Sequence, residues 1–427
     1  EDCICRKAQK DREEIDRRLR RKRMKKIEGG ICAAKGFLAG ACHCGIRKSM
    51  KKNDLALIVS EKVCNAAATY TTNQVKAAPL LVTKQHLENG MAKAVIVNSG
   101  NANACAPDGI QNAKREAEAA AKMLQMDTND VVVASTGVIG QRLKVECIEE
   151  HVGEIVLKKG CEGSQEAAWA IMTTDTEPKS IAVEFEIDGV LCHMGGICKG
   201  SGMIHPNMGT MLSFITTDCS ISSEMLQKAL RQDVKKTYNR VTVDGDTSTN
   251  DMCVILANGM AENPEITEEN EAYNTFLEAL HWINETLAKK IAADGEGATR
   301  LMTCTVKGAR DEDTAEILAK SICSSSLVKA AMFGADANWG RVLCAMGYSK
   351  AGFQVENVSV SFVSKVGKIQ VYEHSVALDF DEEMAKKILS EPDVEILVEL
   401  AEGNGAVSCW GCDLTYDYVK INGDYRT

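Results

Sequence analysis

At 427 residues, 45% hydrophobic and 26% charged, the chain has an ordinary globular composition and enough length for two domains or one large α/β unit. No apolar run is long enough to cross a bilayer and no apolar leader segment opens the sequence, so the expectation is a cytoplasmic protein with no membrane role. The net charge of −10 is uneven: residues 1–29 hold twelve Lys/Arg against seven Asp/Glu, which leaves −15 on the rest and argues against nucleic acid as a partner.

The basic run Arg17 to Arg23 has the charge to contact phosphates or anionic lipid. A single terminal charge run is more often a solvated tail, and residues 1–29 are expected to be a flexible extension. Asp54 to Ser60 reads as a strand, and Ala66 to Asn73, small and rich in hydroxyls, as strand or loop. Ala92 to Asn98 is a buried strand by its β-branched run; Ser99 to Gly109 is a turn-rich loop, and the alanine-rich Gln111 to Met126 a helix. The pattern recurs at Val131 to Gly137, an apolar strand that ends in a hydroxyl residue and glycine, followed by helical spacing from Lys144 to Lys159. Two strand ends thus present backbone N–H groups in tight turns, where α/β proteins commonly bind ligands, and neither turn is a nucleotide-binding glycine motif.

Strands follow at Ser180 to Ile187 and Val190 to Met194, with Asp188-Gly189 as a hairpin turn between them. Helices are predicted at Ser222 to Tyr238, Ala272 to Ala293, Asp313 to Cys323 and Asp381 to Ser390, and a strand at Thr303 to Val306. Val241 to Asp251 is dense in side-chain oxygens, either a turn cluster or a site. Alternation and hairpins together predict an α+β fold of packed layers, and no Pro/Ser-rich linker separates its parts. The eighteen cysteines are scattered, which suits reduced thiols; Cys3/Cys5, Cys42/Cys44 and Cys409/Cys412 have no second pair at zinc spacing, so no metal site is expected.

The stretch Lys199-Gly-Ser-Gly-Met-Ile-His-Pro-Asn-Met-Gly-Thr-Met-Leu212 bends repeatedly before Thr210 opens an apolar run to Asp218. A threonine hydroxyl is inert unless a base takes its proton. If Thr210 attacked the Gly209 carbonyl, the chain would pass through an ester and hydrolyse, leaving Thr210 as a new amino terminus. Its α-amine, with a reference pKa of about 8, would be that base. Donors for the oxyanion are best supplied by Thr136 and Gly137.

That stretch resembles the self-cleavage motif of the ornithine acetyltransferase (glutamate N-acetyltransferase) family. Asn98 to Ala104, Ser135 to Gly140, Asn239 to Asp251, Asp294 to Thr299, Gly334 to Gly340 and Trp410 to Thr427 are similar to its other blocks in the same order, from about Ile31 to the end. The resemblance implies a layered α/β/β/α-type core with a smaller C-terminal α/β subdomain. It also implies a precursor cut at Gly209-Thr210 into an α chain (30–209) and a β chain (210–427) that remain together as α2β2. The implied reaction is a ping-pong transfer of acetyl from N-acetylornithine through Thr210 to glutamate, with no metal or organic cofactor; one branch of the family also takes acetyl from acetyl-CoA, and the residues do not choose between the branches. Carried over, Thr136 and Gly137 match the oxyanion hole, and Thr173, Lys199, Thr210, Glu296, Asn422 and Thr427 match substrate-binding positions. Taken singly, each has a plainer reading: Lys199 as a solvated charge, Glu296 as a helix-end turn, Asn422 and Thr427 as a frayed terminus, and Asp244, Asp246 and Asn250 as turn formers. The nearest rival function is an amidohydrolase or aminopeptidase with the same threonine chemistry and water as acceptor.

Overall fold

The computed structural model describes residues 24–50, 52–205 and 211–424. Among the described residues, nine strands form one sheet: β1 (Lys25–Ile27), β2 (Phe37–Cys42), β3 (Leu55–Tyr70), β4 (Met91–Asn101), β5 (Val131–Val138), β6 (Lys179–Ile187), β7 (Val190–Lys199), β8 (Leu212–Thr217) and β9 (Met252–Ala257). Their order is β1-β6-β7-β8-β9-β3-β4-β5, with β2 on the first half of β3. Most neighbours are antiparallel, but β4/β5 and β8/β9 are parallel, so this is an α+β sheet.

Strand β3 folds the sheet over. The expected strand at Asp54 to Ser60 and the ambiguous stretch after Ala66 are one 16-residue strand. Its first half pairs with β2 and β4, and Asn65 to Tyr70 pair with β9. Exposed Glu61, Lys62 and Val63 mark the bend, where the register with β4 breaks. The two halves then face each other across a core that includes Ala56, Ile58, Val97, Val132, Phe214 and Val254. The outward face of β6 to β9 is covered by α5 (Ser223–Lys236) and α6 (Glu271–Ala293), and that of β3 to β5 by α1 (Ala78–His86), α2 (Gly109–Leu124) and α3 (Val145–His151). The result is helix, sheet, sheet, helix, because near-continuous apolar runs give these strands two apolar faces.

Residues 144–159 are not one helix. Helix α3 stops at His151, and Lys158 instead pairs with Ala39 of β2 through two backbone hydrogen bonds of 3.0 and 2.8 Å, which holds this segment extended. A further helix, α4 (Gly160–Ala170), follows, and it packs on β2. Its small residues hide the helical signal. The hairpin at Asp188-Gly189 is present, both residues at positive φ.

From the end of α6 the chain builds a second sheet of order β13-β12-β11-β14-β10-β15, comprising β10 (Leu301–Ala309), β11 (Ser359–Ser364), β12 (Gly367–Glu373), β13 (Val376–Ala377), β14 (Asp393–Glu399) and β15 (Gly405–Cys412). Helices α7 (Glu312–Ser324), α8 (Ser326–Phe333), α9 (Trp339–Gly347) and α10 (Glu382–Leu389) give it its own core around Met302, Leu318, Val360 and Ile396. Trp410 and Cys412 of β15 join the α5/α6 core, which seats the subdomain on the main body. A last helix, α11 (Tyr416–Asp424), returns towards the end of α6. Lys25 to Ile27, within the expected extension 1–29, form edge strand β1 on β6; residues 1–23 lie outside the described residues.

Candidate active site

Parallel strands β4 and β5 end side by side, with Gly100 opposite Gly137. Gly137 has φ +135, and a Cβ there would sit 2.3 Å from the Gly100 carbonyl carbon, so only glycine fits. The preceding Thr136 is buried. Asn250, just before β9, ties these ends together: its Nδ2 donates to Ser135 O at 2.8 Å and Ala102 O at 2.6 Å.

Strands β7 and β8 deliver the second component. Lys199 at the end of β7 pairs with Leu212 at the start of β8, and Met252 N donates to Met211 O at 2.8 Å. The connection from Gly200 to Met211 therefore leaves and returns at one point in the sheet. Gly209 and Thr210, together with 206–208, lie outside the described residues. Lys199 Nζ donates to Thr136 Oγ1 at 3.4 Å. Beside them is a cavity of about 30 Å³, whose lining includes Thr136, Lys199, Gly202, Met211, Asn250 and Asp251.

The described part of that connection is held at nearly every residue. Gly200 N donates to Asp175 Oδ1 at 2.7 Å, Met203 N and Ile204 N to Asp244 at 2.6 and 2.9 Å, and Thr247 Oγ1 to His205 O at 2.8 Å. The oxygen-rich run 241–251 thus clamps the segment that precedes Thr210. Burial pushes the His205 imidazole down to about 4, so it is neutral near pH 7.

A buried ionic network lies beneath. Lys179, at the start of β6, bridges Asp175 Oδ1 at 2.7 Å and Asp294 Oδ2. Asp294 also accepts from Thr176 N, and its carbonyl accepts from Ser201 Oγ at 2.7 Å. Burial opposes the Asp175 charge, but Lys199 and Lys179 outweigh it and hold this carboxyl well below its usual range. Burial likewise opposes the Lys179 charge and is outweighed by Asp175 and Asp294. For Lys199 burial wins, and its ammonium is pushed below its usual value despite Asp175, Asp251 and Glu296. Two residues after Asp294, buried Glu296 takes a hydrogen bond of 2.7 Å from Asn422 Nδ2 of α11, and Glu296 N donates to Ser201 O at 3.0 Å.

The structure therefore brings Thr136, Gly137 and Lys199 together, and links Glu296 with Asn422 across the same loop. Thr173 is half-buried and joins through its N–H, which donates to Asp175 Oδ2 at 3.0 Å. Gly209, Thr210 and Thr427 lie outside the described residues. Sequence reasoning misses Asp175 and Lys179. Their spacing of four is a signal of a pair, but in a turn leading to a strand it has no helical face to make it visible. Burial pushes the Cys42 thiol up to about 12, and among the described residues no three His, Cys, Asp or Glu side chains are grouped to hold a metal ion. Among the described residues no helix is long and apolar enough to cross a membrane.

The model of the ArgJ family matches residues 38–427. The arginine biosynthesis bifunctional protein ArgJ of Caldanaerobacter subterraneus is 47% identical over 405 residues, 95% of this chain and 100% of that protein. The ArgJ 1 protein of Clostridium acetobutylicum is 49% identical over 381 residues, 89% of this chain and 93% of that one. Among solved structures, the chain is similar to the arginine biosynthesis bifunctional protein argJ of Bacillus halodurans (49% identity, 51% of this chain, 100% of that chain, TM-score 0.48). It is also similar to the ornithine acetyltransferase of Mycobacterium tuberculosis complexed with ornithine (38% identity, 43% of this chain, 98% of that chain, TM-score 0.40).

Proposed function

The chain belongs to the ArgJ family of arginine-biosynthesis acyltransferases, and on that premise we propose that it is cut between Gly209 and Thr210 and carries acetyl from N-acetylornithine to glutamate on Thr210. The observation that supports this reading best is the meeting of Thr136 and Lys199, 3.4 Å apart, at the cavity lined by Met211 and Leu212, the residues that follow Thr210. In this reading the freed Thr210 amine takes the proton of its own hydroxyl as Oγ attacks the acetyl carbonyl, and the Thr136 hydroxyl and Gly137 N–H receive the developing oxyanion. The amine then gives the proton to the departing ornithine nitrogen, which leaves an acetyl ester on Thr210. The glutamate amine attacks that ester, and the proton returns along the same route.

Lys199 meets the α-carboxylate that both substrates share, and Glu296 meets the side-chain ammonium of N-acetylornithine. Asn422, which has both a donor and an acceptor, completes the site with Thr173 and Thr427. The steps so written use only the chain and its two substrates and need no metal or cofactor; acetyl-CoA, if used, enters as a second donor to the same threonine. The α chain (30–209) and β chain (210–427) stay together as α2β2 in this reading, and the enzyme works in the cytoplasm.

A denaturing gel and one assay test the proposal. The parent should run as two bands and Thr210→Ala as one. N-acetylglutamate should form from N-acetylornithine only when glutamate is present. Release of acetate without N-acetylglutamate would favour water as acceptor, and an uncut chain with full activity would overturn the mechanism.

A further inference from the structure

We propose that Lys179 is a positioning residue for substrate binding: it occupies Asp175 and Asp294 so that the Lys199 ammonium stays beside Thr136, facing the cavity, instead of closing onto Asp175. The inference rests on the reading of Lys199 as the carboxylate-binding residue. Lys179 is completely buried and reaches no solvent. Its ammonium is shared by carboxylates from two segments 119 residues apart, Asp175 before β6 and Asp294 after α6 (294 − 175).

Lys179 and Lys199 stand here against Asp175 and Asp294, and buried Asp251 and Glu296 also act on Lys199. Asp175 Oδ1 already accepts from Lys179 Nζ and Gly200 N, both at 2.7 Å, and Oδ2 accepts from Thr173 N at 3.0 Å. Gly200 is the neighbour of Lys199 in sequence, so the Lys199 side chain starts next to the Asp175 carboxylate, and each charge acts on the other. What the Lys199 ammonium contacts instead is the Thr136 hydroxyl, at a long 3.4 Å. A buried carboxylate stripped of its partner is strongly destabilised and takes the nearest cation. Without Lys179 that cation for Asp175 is Lys199, and its capture empties the cavity of the charge that a substrate carboxylate needs.

Two charge-balanced double variants separate positioning from scaffolding. Lys179→Met with Asp294→Asn keeps Asp175, so Lys199 should be captured, and KM for both N-acetylornithine and glutamate should rise roughly tenfold or more while kcat changes little. Lys179→Met with Asp175→Asn removes the captor; Asp294 loses its lysine but keeps Thr176 N and Thr176 Oγ1 as donors away from the cavity, and KM should stay within about threefold of the parent. Lys179→Arg retains the charge and should behave as the second pair does. Lys199→Met should raise both KM values by itself. If the two double variants shift KM alike, or lose thermal stability and activity in step, Lys179 is only scaffold and the proposal is overturned. A raised KM in Lys199→Met beside parental KM in the Asp294 pair also overturns it. An unchanged KM in Lys199→Met sinks the carboxylate reading of Lys199, and the proposal with it.

Discussion

Gly202→Ala tests the geometry of the site with a single methyl group. A Cβ built on Gly202 lies 2.3 Å from the Glu296 carboxyl carbon and 2.4 and 2.5 Å from its oxygens. Gly202 is not at positive φ, so the backbone accepts alanine, and the three nearest atoms in conflict all belong to the Glu296 side chain. Restoring an ordinary contact of 3.4 Å requires the carboxylate to retreat by about 1.1 Å (3.4 − 2.3), further than its 2.7 Å bond from Asn422 survives. In the proposed site the displaced carboxylate also leaves the substrate ammonium, and a hydrogen bond to a charged group contributes about 1.5–3 kcal/mol, so KM for N-acetylornithine should rise about 10- to 100-fold. Glutamate carries no side-chain ammonium, and its KM should change far less. Folding loses the Asn422 hydrogen bond, and a stability cost of about 1.5–3 kcal/mol is expected. Steady-state kinetics on both substrates with a melting curve decide the matter. Equal KM shifts for the two substrates, or none for N-acetylornithine, would refute the placement of Glu296 opposite the ammonium.

Two other perturbations probe the loop and the lysine. Asp244→Ala removes the acceptor for Met203 N, Ile204 N and Asp246 N, at 2.6, 2.9 and 3.2 Å, and should slow formation of the two bands on a gel time course and lower stability by about 2–3 kcal/mol. Asp244→Asn, which keeps one acceptor oxygen, should retain most of both. For Lys199, the folded-state pKa is below its usual value because burial disfavours the ammonium. On the proposed reading of Lys199, the charge that would bind a carboxylate is lost as pH rises through that lowered pKa, and KM for both substrates should climb at a lower pH than an ordinary lysine would dictate. The same group contributes to stability with the opposite sign. Between the folded and unfolded pKa values the unfolded chain holds the extra proton, so this contribution grows with pH while binding weakens. A KM that falls with alkalinity in this window would contradict the assignment.

The layers were legible because each strand advertises its faces. Leu55, Leu57 and Val59 face one helix layer and Ala56 and Ile58 the inner core, an alternation that a short apolar run displays directly. The bend in β3 was not legible, since Glu61-Lys62-Val63 looks like a break between elements when it is a solvated corner within one strand. Helix α4 was hidden for a different reason: Gly160, Gly163 and Ser164 have poor helix propensity, Gly160 opening the helix at positive φ and Gly163 and Ser164 standing where this helix lies close against β2 and the segment after β1. At the site, the motifs picked out Thr136, Lys199, Glu296 and Asn422 as separate residues. The Lys179–Asp294 pair spans 115 residues, and no local pattern could tell such a buried partner from a solvated charge.

The position of the connection from Gly200 to Met211 explains how a chain could be cut there without coming apart. Strand β8 lies inside the sheet, antiparallel to β7 and parallel to β9, with all six residues buried. Upstream, Gly200 to His205 are anchored by Asp175, Asp244 and Thr247, none of which depends on an intact peptide bond at Gly209. Downstream, Met211 O is fixed by Met252 N at 2.8 Å before the ladder with Lys199 begins. Separation of the two pieces would require breaking the β7/β8 ladder and opening the cores on both faces of the sheet, a cost far above that of one peptide bond's constraint on the chain. Hydrolysis would therefore free only the few residues between these anchors. The freedom gained would be local to the new amino terminus, held within one residue of Met211, where a nucleophile must stay fixed relative to Thr136 and Lys199 for transfer to proceed.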